Sequence, residues 1–153
     1  MMAAAYIDSG VAFVNQLNGL FAGLLVDRQL GRAFLFNDRY SLERIYYYET
    51  KEATYFASEA KALLRVLPEL RAFDDDGVAE YLALGCTTGT RTFFRGVRLL
   101  EGGSLWTFDA AGVHKQRYFS PAVLEGLQPL ATTAFETEVQ TTSKPILSRY
   151  LSA

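Results

Sequence analysis

The chain has 153 residues, 50% hydrophobic and 21% charged, which fits one folded domain and excludes a disordered one. Fifteen Lys and Arg against 17 Asp and Glu leave a net charge of −2, which excludes the basic surplus of a non-specific nucleic-acid binder. One cysteine, Cys86, and one histidine, His114, exclude an intramolecular disulfide framework and leave too few ligands for a Cys/His zinc site.

The opening Met1-Met2-Ala3-Ala4-Ala5 has no basic n-region and soon reaches Asp8, which makes it a poor signal peptide. Ala3 to Asn15 reads as helix broken at Gly10. Leu20 to Val26 is a nearly continuous apolar run of strand length, and such a run predicts a strand buried on both faces. A turn at Asp27–Gly31 leads into a second strand, Arg32–Asn37, so the pair reads as a hairpin. Ile45–Glu49 and Thr54–Ala57 form another. Ser58 reads as the N-cap of a short helix, Glu59–Val66, stopped by Pro68. Asp74-Asp75-Asp76 precede a second helix, Val78–Leu84. Three acids there cap the helix and meet its dipole more readily than they bind a metal. Leu99, Ser104–Phe108 and Val113–Tyr118 read as strands separated by Gly102-Gly103 and Ala111-Gly112 turns. Beyond Pro121, Phe135, Val139, Ile146, Leu147, Tyr150 and Leu151 stand at helical spacing. Pro145 interrupts them, which predicts a kink or two short helices. The result is an α+β layer structure with antiparallel sheets from about residues 19–57 and 98–118, finished by a C-terminal helical tail.

The 21 aromatic residues gather between Phe34 and Phe56 and between Phe93 and Phe119. They suit pleated, half-buried surfaces, so they are expected in sheet cores. A base-stacking platform would also need a basic groove. No apolar run approaches the ~18 residues of a membrane span, so no membrane partner is expected and the expected compartment is the cytoplasm. Nucleophilic catalysis finds no complete set: Cys86 follows a predicted helix, and His114 lies in a different hairpin among polar residues. Gly102-Gly103-Ser104 lacks the Gly-Lys-Ser/Thr ending of a phosphate loop and leads into a strand. Asp38-Arg39 reads equally as a turn with an ion pair or as an arginine fork reaching an anion. No catalytic residue and no metal site emerges.

Several segments in order resemble one family. Leu17-Asn18-Gly19-Leu20-Phe21-Ala22 with Asp27, Asn37-Asp38-Arg39-Tyr40, Ile45-Tyr46-Tyr47 and Phe56-Ala57-Ser58-Glu59-Ala60-Lys61-Ala62-Leu63 resemble the back half of the class II glutamine amidotransferase domain of glutamine-hydrolysing asparagine synthetases. Arg91 to Val97, Leu100 to Ser104 with Trp106, and Tyr118-Phe119 continue the pattern. The resemblance implies part of an αββα N-terminal-nucleophile sandwich over 1–121. It also implies a helical linker, 122–153, toward a synthetase domain that uses ATP and magnesium. Glutamine and aspartate would be the substrates of the whole protein, and the missing domain or a homodimer its partner. The family nucleophile is a cysteine at the mature N-terminus, beside oxyanion and glutamine-holding groups, and none of these has a matching position here. No cofactor is expected in this chain itself. Ser41 stands where the family commonly has glycine, and Glu101 where it has proline.

The expectation is therefore an inactive part of a longer reading frame. A stand-alone scaffold or binding module that kept the fold is the competing reading. The fragment is favoured because a sheet lacking front strands exposes unpaired edges. Asp38, Arg39, Ser58, Glu59 and Lys61 are expected to form a structural polar network, with Arg39 or Lys61 neutralising Asp38 or Glu59.

Overall fold

Side chains alternate across a strand with period two, so a strand of consecutive large residues must feed two different cores. In the computed structural model, Phe34 and Phe36 enter one core and Leu35, between them, enters another. The structure describes residues 2–151. Met1, Ser152 and Ala153 and the side chains of Arg149 and Tyr150 lie outside the described set, and with them the Met1 and Tyr150 of the sequence reading.

Helix α1 (Met2–Ser9), a 3-10 turn (Gly10–Ala12) and α2 (Phe13–Gln16) open the chain. Strands β1 (Ala22–Asp27), β2 (Arg32–Asn37), β6 (Ser104–Asp109) and β7 (Gly112–Arg117) form one antiparallel sheet in the order β1-β2-β6-β7. Strands β3 (Tyr46–Glu49), β4 (Thr54–Ala57) and β5 (Arg98–Leu99) form a second, ordered β4-β3-β5. Between them in sequence lie α3 (Ala60–Val66), a 3-10 turn (Pro68–Arg71) and α4 (Asp75–Leu84). The strand pairing is antiparallel throughout.

Three cores stack through this arrangement. Phe13 and Val14 of α2 pack with Phe34, Phe36 and Leu105 on the outer face of the four-stranded sheet. Leu35, Ile45, Leu100 and Trp106, with Tyr47 and Phe56, fill the space between the two sheets. Leu63, Leu70 and Val97, with Tyr46, Tyr48 and Tyr55, seal the outer face of the three-stranded sheet against α3. Successive residues Tyr46, Tyr47 and Tyr48 thus point to alternate cores, and the layers run helix, sheet, sheet, helix. This is the αββα order expected, built on antiparallel sheets. The clustered aromatics are its filling, and edge-on pairs such as Phe13–Phe36 and Tyr47–Trp106 set their geometry.

Three local expectations change. Strand β1 is not buried on both faces. It is a sheet edge whose residues alternate, with Leu25 turned into the α2 core while Leu24 and Val26 are 48% and 59% exposed. These two sit opposite the face that carries Leu25, where the shorter second sheet does not cover them. Ser58 does not cap α3. Glu59 holds the N-cap position and makes no side-chain cap bond, so the helix starts one residue later than expected. Helix α4 starts at Asp75 rather than Val78, because Asp74 is the cap and accepts a hydrogen bond from the Gly77 N–H at 3.1 Å. Asp75 and Asp76 then fall in its first turn, facing Arg95 and Arg91.

Residues Pro121–Ala153 form a separate compact unit. After a short helix α5 (Ala122–Glu125), α6 runs from Thr132 to Leu151 as one element with Pro145 inside it, so of the two alternatives expected, a kink or two short helices, the second does not hold. Proline removes its own N–H from the ladder and crowds the preceding turn, and the turns on either side carry the helix past it.

Leu35 is 1% exposed at the centre of the inter-sheet core. Leu35→Ala is expected to lower unfolding free energy by about 2–5 kcal/mol, the usual cost of emptying a buried leucine site. Urea unfolding followed by Trp106 fluorescence measures it.

Candidate functional site

Strands β2 and β7 end, and β6 begins, at one edge of the four-stranded sheet, and a buried polar knot ties these termini together. Asn37, fully buried at the end of β2, is its centre. Its Oδ1 accepts from the Ser104 N–H at 3.0 Å. Its Nδ2 donates to the Leu100 carbonyl at 3.3 Å and the Ser41 hydroxyl oxygen at 3.2 Å. Its own carbonyl accepts from the Tyr118 hydroxyl at 2.7 Å. The Ser41 hydroxyl in turn donates to the Leu100 carbonyl at 2.9 Å.

Asp38, 2% exposed, organises the loop that follows. One carboxylate oxygen accepts from the Tyr40 and Leu42 N–H groups, the other from the Glu43 N–H at 2.9 Å. Its backbone joins Phe21 on one side and Gly103 on the other. The loop thereby turns back on itself, and Ser41 is forced to φ +55°, the left-handed region. That accounts for the glycine common to the resembled family at this position, since glycine adopts such a φ without strain. Across the loop, Gly102 comes so close to the Arg39 carbonyl that a Cβ there would stand 2.5 Å from it. The Gly102-Gly103 turn is thus a close approach of two backbones.

The five residues proposed as a network divide by partner. Asp38 is consumed by backbone N–H groups. Arg39 donates to the Asn15 carbonyl at 3.4 Å, at the end of α2, and its guanidinium lies 5.8 Å from the Phe119 ring centre. Lys61 forms an ion pair with Glu59 on the exposed start of α3. The Ser58 side chain makes no hydrogen bond among the described residues. No hydrogen bond or ion pair among those residues joins the 38–39 segment to residues 58–61. Ser58 instead lines a cleft of about 530 Å³ with Glu43 and Arg44, and neither Asp38 nor Arg39 borders it. The members that sequence reasoning missed are Asn37, Ser41, Tyr118 and the Gly102-Gly103 turn. The available signal was an asparagine closing an apolar strand, Phe34-Leu35-Phe36-Asn37, where a buried amide must find partners.

A second cleft, of about 480 Å³, opens beside the knot, bordered by Tyr40, Arg44, Cys86, Phe93, Glu101 and Arg117. Its wall on the α4 side is the loop after that helix. The loop is anchored by Glu80, whose carboxylate accepts from the Thr88 N–H at 2.9 Å and pairs with Arg91 at 3.2 Å. The Thr88 bond, with Arg91 adding, holds the Glu80 carboxyl below its usual range. Cys86 is a free, exposed thiol. His114 faces solvent on β7, 3.6 Å from Asp109 and outside this cleft. Among the described residues no group of three His, Cys, Asp or Glu could hold a metal ion, and no helix is long and apolar enough to cross a membrane.

Comparison with known proteins agrees with this architecture. A family model for the glutamine amidotransferase domain matches residues 1–119, and the chain belongs to that family. Asparagine synthetase [glutamine-hydrolyzing] 3 of Bacillus subtilis is 30% identical over 119 residues, covering 76% of this chain and 19% of that protein. A putative asparagine synthetase [glutamine-hydrolyzing] 2 of Methanocaldococcus jannaschii is 27% identical over 116 residues, covering 74% of this chain and 22% of that protein. Asparagine synthetase [glutamine-hydrolyzing] 2 of Bacillus subtilis is 34% identical over 58 residues, covering 38% of this chain and 8% of that protein. The chain thus spans at most about a fifth of the length of these relatives.

Two outcomes follow for the knot. Asn37→Ala strands the Ser104 N–H in the interior. It should destabilise by at least the about 1–3 kcal/mol that one unpaired buried polar group costs, read as a shift of the urea midpoint. Burial pushes the Tyr118 phenol up to about 12, with Asp38 adding to the rise and Arg39 opposing it. A phenol raised in the folded state contributes stability in full below its unfolded pKa near 10 and loses it as pH climbs toward the folded value. The melting temperature should therefore fall more steeply between pH 10 and 12 in the parent chain than in Tyr118→Phe, with the two curves parallel below pH 9.

Proposed function

We propose that residues 1–119 supply the back half of the glutaminase domain of an asparagine-synthetase-like protein, as scaffold rather than as catalyst. The observation that carries this reading is the family match across nearly all of the αββα unit. The exposed inner face of β1, with Leu24 and Val26 in solvent, supports it, because an amidotransferase sandwich that receives further strands would cover that face. The whole protein would release ammonia from glutamine at an N-terminal cysteine and pass it to aspartate activated with ATP and magnesium. A synthetase domain or a second copy would be the partner of this region.

None of that chemistry is assigned to residues of this chain. The donor set does not fit a magnesium–nucleotide site: the acids of α4 are spent on its cap and on Arg91 and Arg95, and the Gly102-Gly103 turn leads into β6. Cys86 does not fit a glutaminase nucleophile either. It is exposed, and the single histidine, His114, lies outside its cleft, so no base stands beside it. Members of a catalytic unit act together, so absence of the nucleophile and its base removes most of the rate enhancement.

The test is ammonia release from glutamine by the purified chain beside Cys86→Ala. Both are expected at background. Turnover that depends on Cys86 would overturn the scaffold reading.

A further inference from the structure

The cleft beside the knot holds unspent chemistry. Several arginines of the sandwich are engaged in ion pairs: Arg91 with Asp76 and Glu80, Arg95 with Asp75, Arg32 with Asp109. Arg44, which borders the cleft, has no ion pair or hydrogen bond among the described residues. Arg117, on the same cleft, has only a single-point contact of 3.7 Å with Glu101. Glu101 is the one acidic residue on the lining, so two arginines and one glutamate border the cleft in a chain whose net charge is −2. The loop wall adds donors. The N–H groups of Cys86, Thr87 and Gly89 donate to no partner within the described residues, whereas the Thr88 N–H between them is taken by Glu80. The remaining wall is apolar and aromatic: Phe93, held edge-on to Tyr81 at 5.0 Å, with Leu99 and the Tyr40 ring.

We propose that this cleft binds a small aromatic carboxylate, with its ring against the Phe93–Tyr81 wall and its carboxylate toward Arg44 and Arg117. The volume, about 480 Å³, falls in the range of small-molecule sites, roughly 300–1,000 Å³. A wall with surplus donors and cations selects an anion, and a guanidinium lacking its two-point partner is satisfied best by a carboxylate. The site is independent of the glutaminase reading: it uses no residue of that reaction, and its test is indifferent to whether glutamine is hydrolysed.

Cys86 makes the test site-specific, because it is the one cysteine of the chain and borders this cleft. Two disulfide reagents are compared: 5,5′-dithiobis(2-nitrobenzoate), which carries aromatic carboxylates, and neutral 4,4′-dithiodipyridine. In each, the Cys86 thiolate attacks one sulfur, the reagent disulfide breaks, a mixed disulfide forms and one aromatic thiolate leaves as the coloured product. Taking the ratio of the two rates cancels the thiol's own reactivity. The anionic-to-neutral ratio is expected to be at least about fivefold higher for the folded chain than for the chain in urea, the gain supplied by paired cations. Arg44→Gln and Arg117→Gln should each bring it toward the unfolded value, while Arg65→Gln on α3 leaves it unchanged. Benzoate should slow the anionic reagent and benzamide should not. A ratio that folding or Arg44→Gln leaves unchanged, or equal protection by benzoate and benzamide, overturns the proposal. Arg44 is exposed, so its replacement tests charge and not folding.

Discussion

The amide of Asn37 is the constraint on which the sandwich depends. A strand terminus must find partners for the N–H and C=O groups that leave the ladder, and here three strand termini meet at one buried edge. Asn37 answers with one acceptor and two donors at once, binding the start of β6, the end of the β5 loop and the Ser41 turn. Tyr118 closes the fourth side. The cross-chain separations, 63 to 81 residues, mean that the knot forms only when the whole unit has assembled. It therefore fixes the register of the sheet, where apolar packing alone would tolerate slippage.

The aromatic layers act on the same strands from the other direction. Phe34 and Phe36 bind β2 to the helical layer, and Leu35 binds it to the second sheet, so β2 is held on both faces and the knot sits at its end. Tyr46 to Tyr48 repeat the device in β3. Hydrophobic burial supplies most of the stabilisation but little positional selectivity. The buried amide and carboxylate supply selectivity, because an unpaired polar group in that interior is costly. One consequence is that Ser41 is held in the left-handed region, and its hydroxyl then joins the knot.

How far the sequence exposes this can be judged strand by strand. Period-two alternation and the turn residues mark β2, β3, β4, β6 and β7 to within a residue or two, and ordered motifs identify the family. Strand β1 misleads, since its apolar run has the composition of a two-sided strand. Only the extent of the opposite sheet, a tertiary fact, leaves Leu24 and Val26 uncovered. Ser58 misleads for a related reason: cap preference is local, but the chain leaves β4 in an extended conformation that continues to Glu59. Pro145 does not split the tail into two helices, because a helix of this length keeps enough turns on either side to span the lost bond. The knot was half legible. Asp38 stood out as a charged residue at a strand end, but its role as a backbone clamp needs the loop's path, and Asn37 looked like an ordinary strand terminator.

The same reasoning separates scaffold from chemistry at this end of the molecule. Every buried side-chain polar atom among the described residues has a hydrogen-bond partner. In the knot, the partners are other members of the knot and the backbone they clamp, so Asn37, Asp38, Ser41 and Tyr118 have spent their capacity on holding the loop in place. A group in that condition cannot also take a proton or polarise a substrate without breaking the fold. The cleft next to it is the reverse case. Its arginines and loop N–H groups border a void, on walls that Glu80 and the Gly102 turn hold in position, and they lack strong internal partners. Rigid support beneath unsatisfied donors is the arrangement that recognition requires, because the cost of ordering the site is met in folding and not on binding. The knot is therefore the foundation of the cleft: Ser41, Leu100 and Gly102 belong to both, and what fixes the backbone on one side shapes the wall on the other.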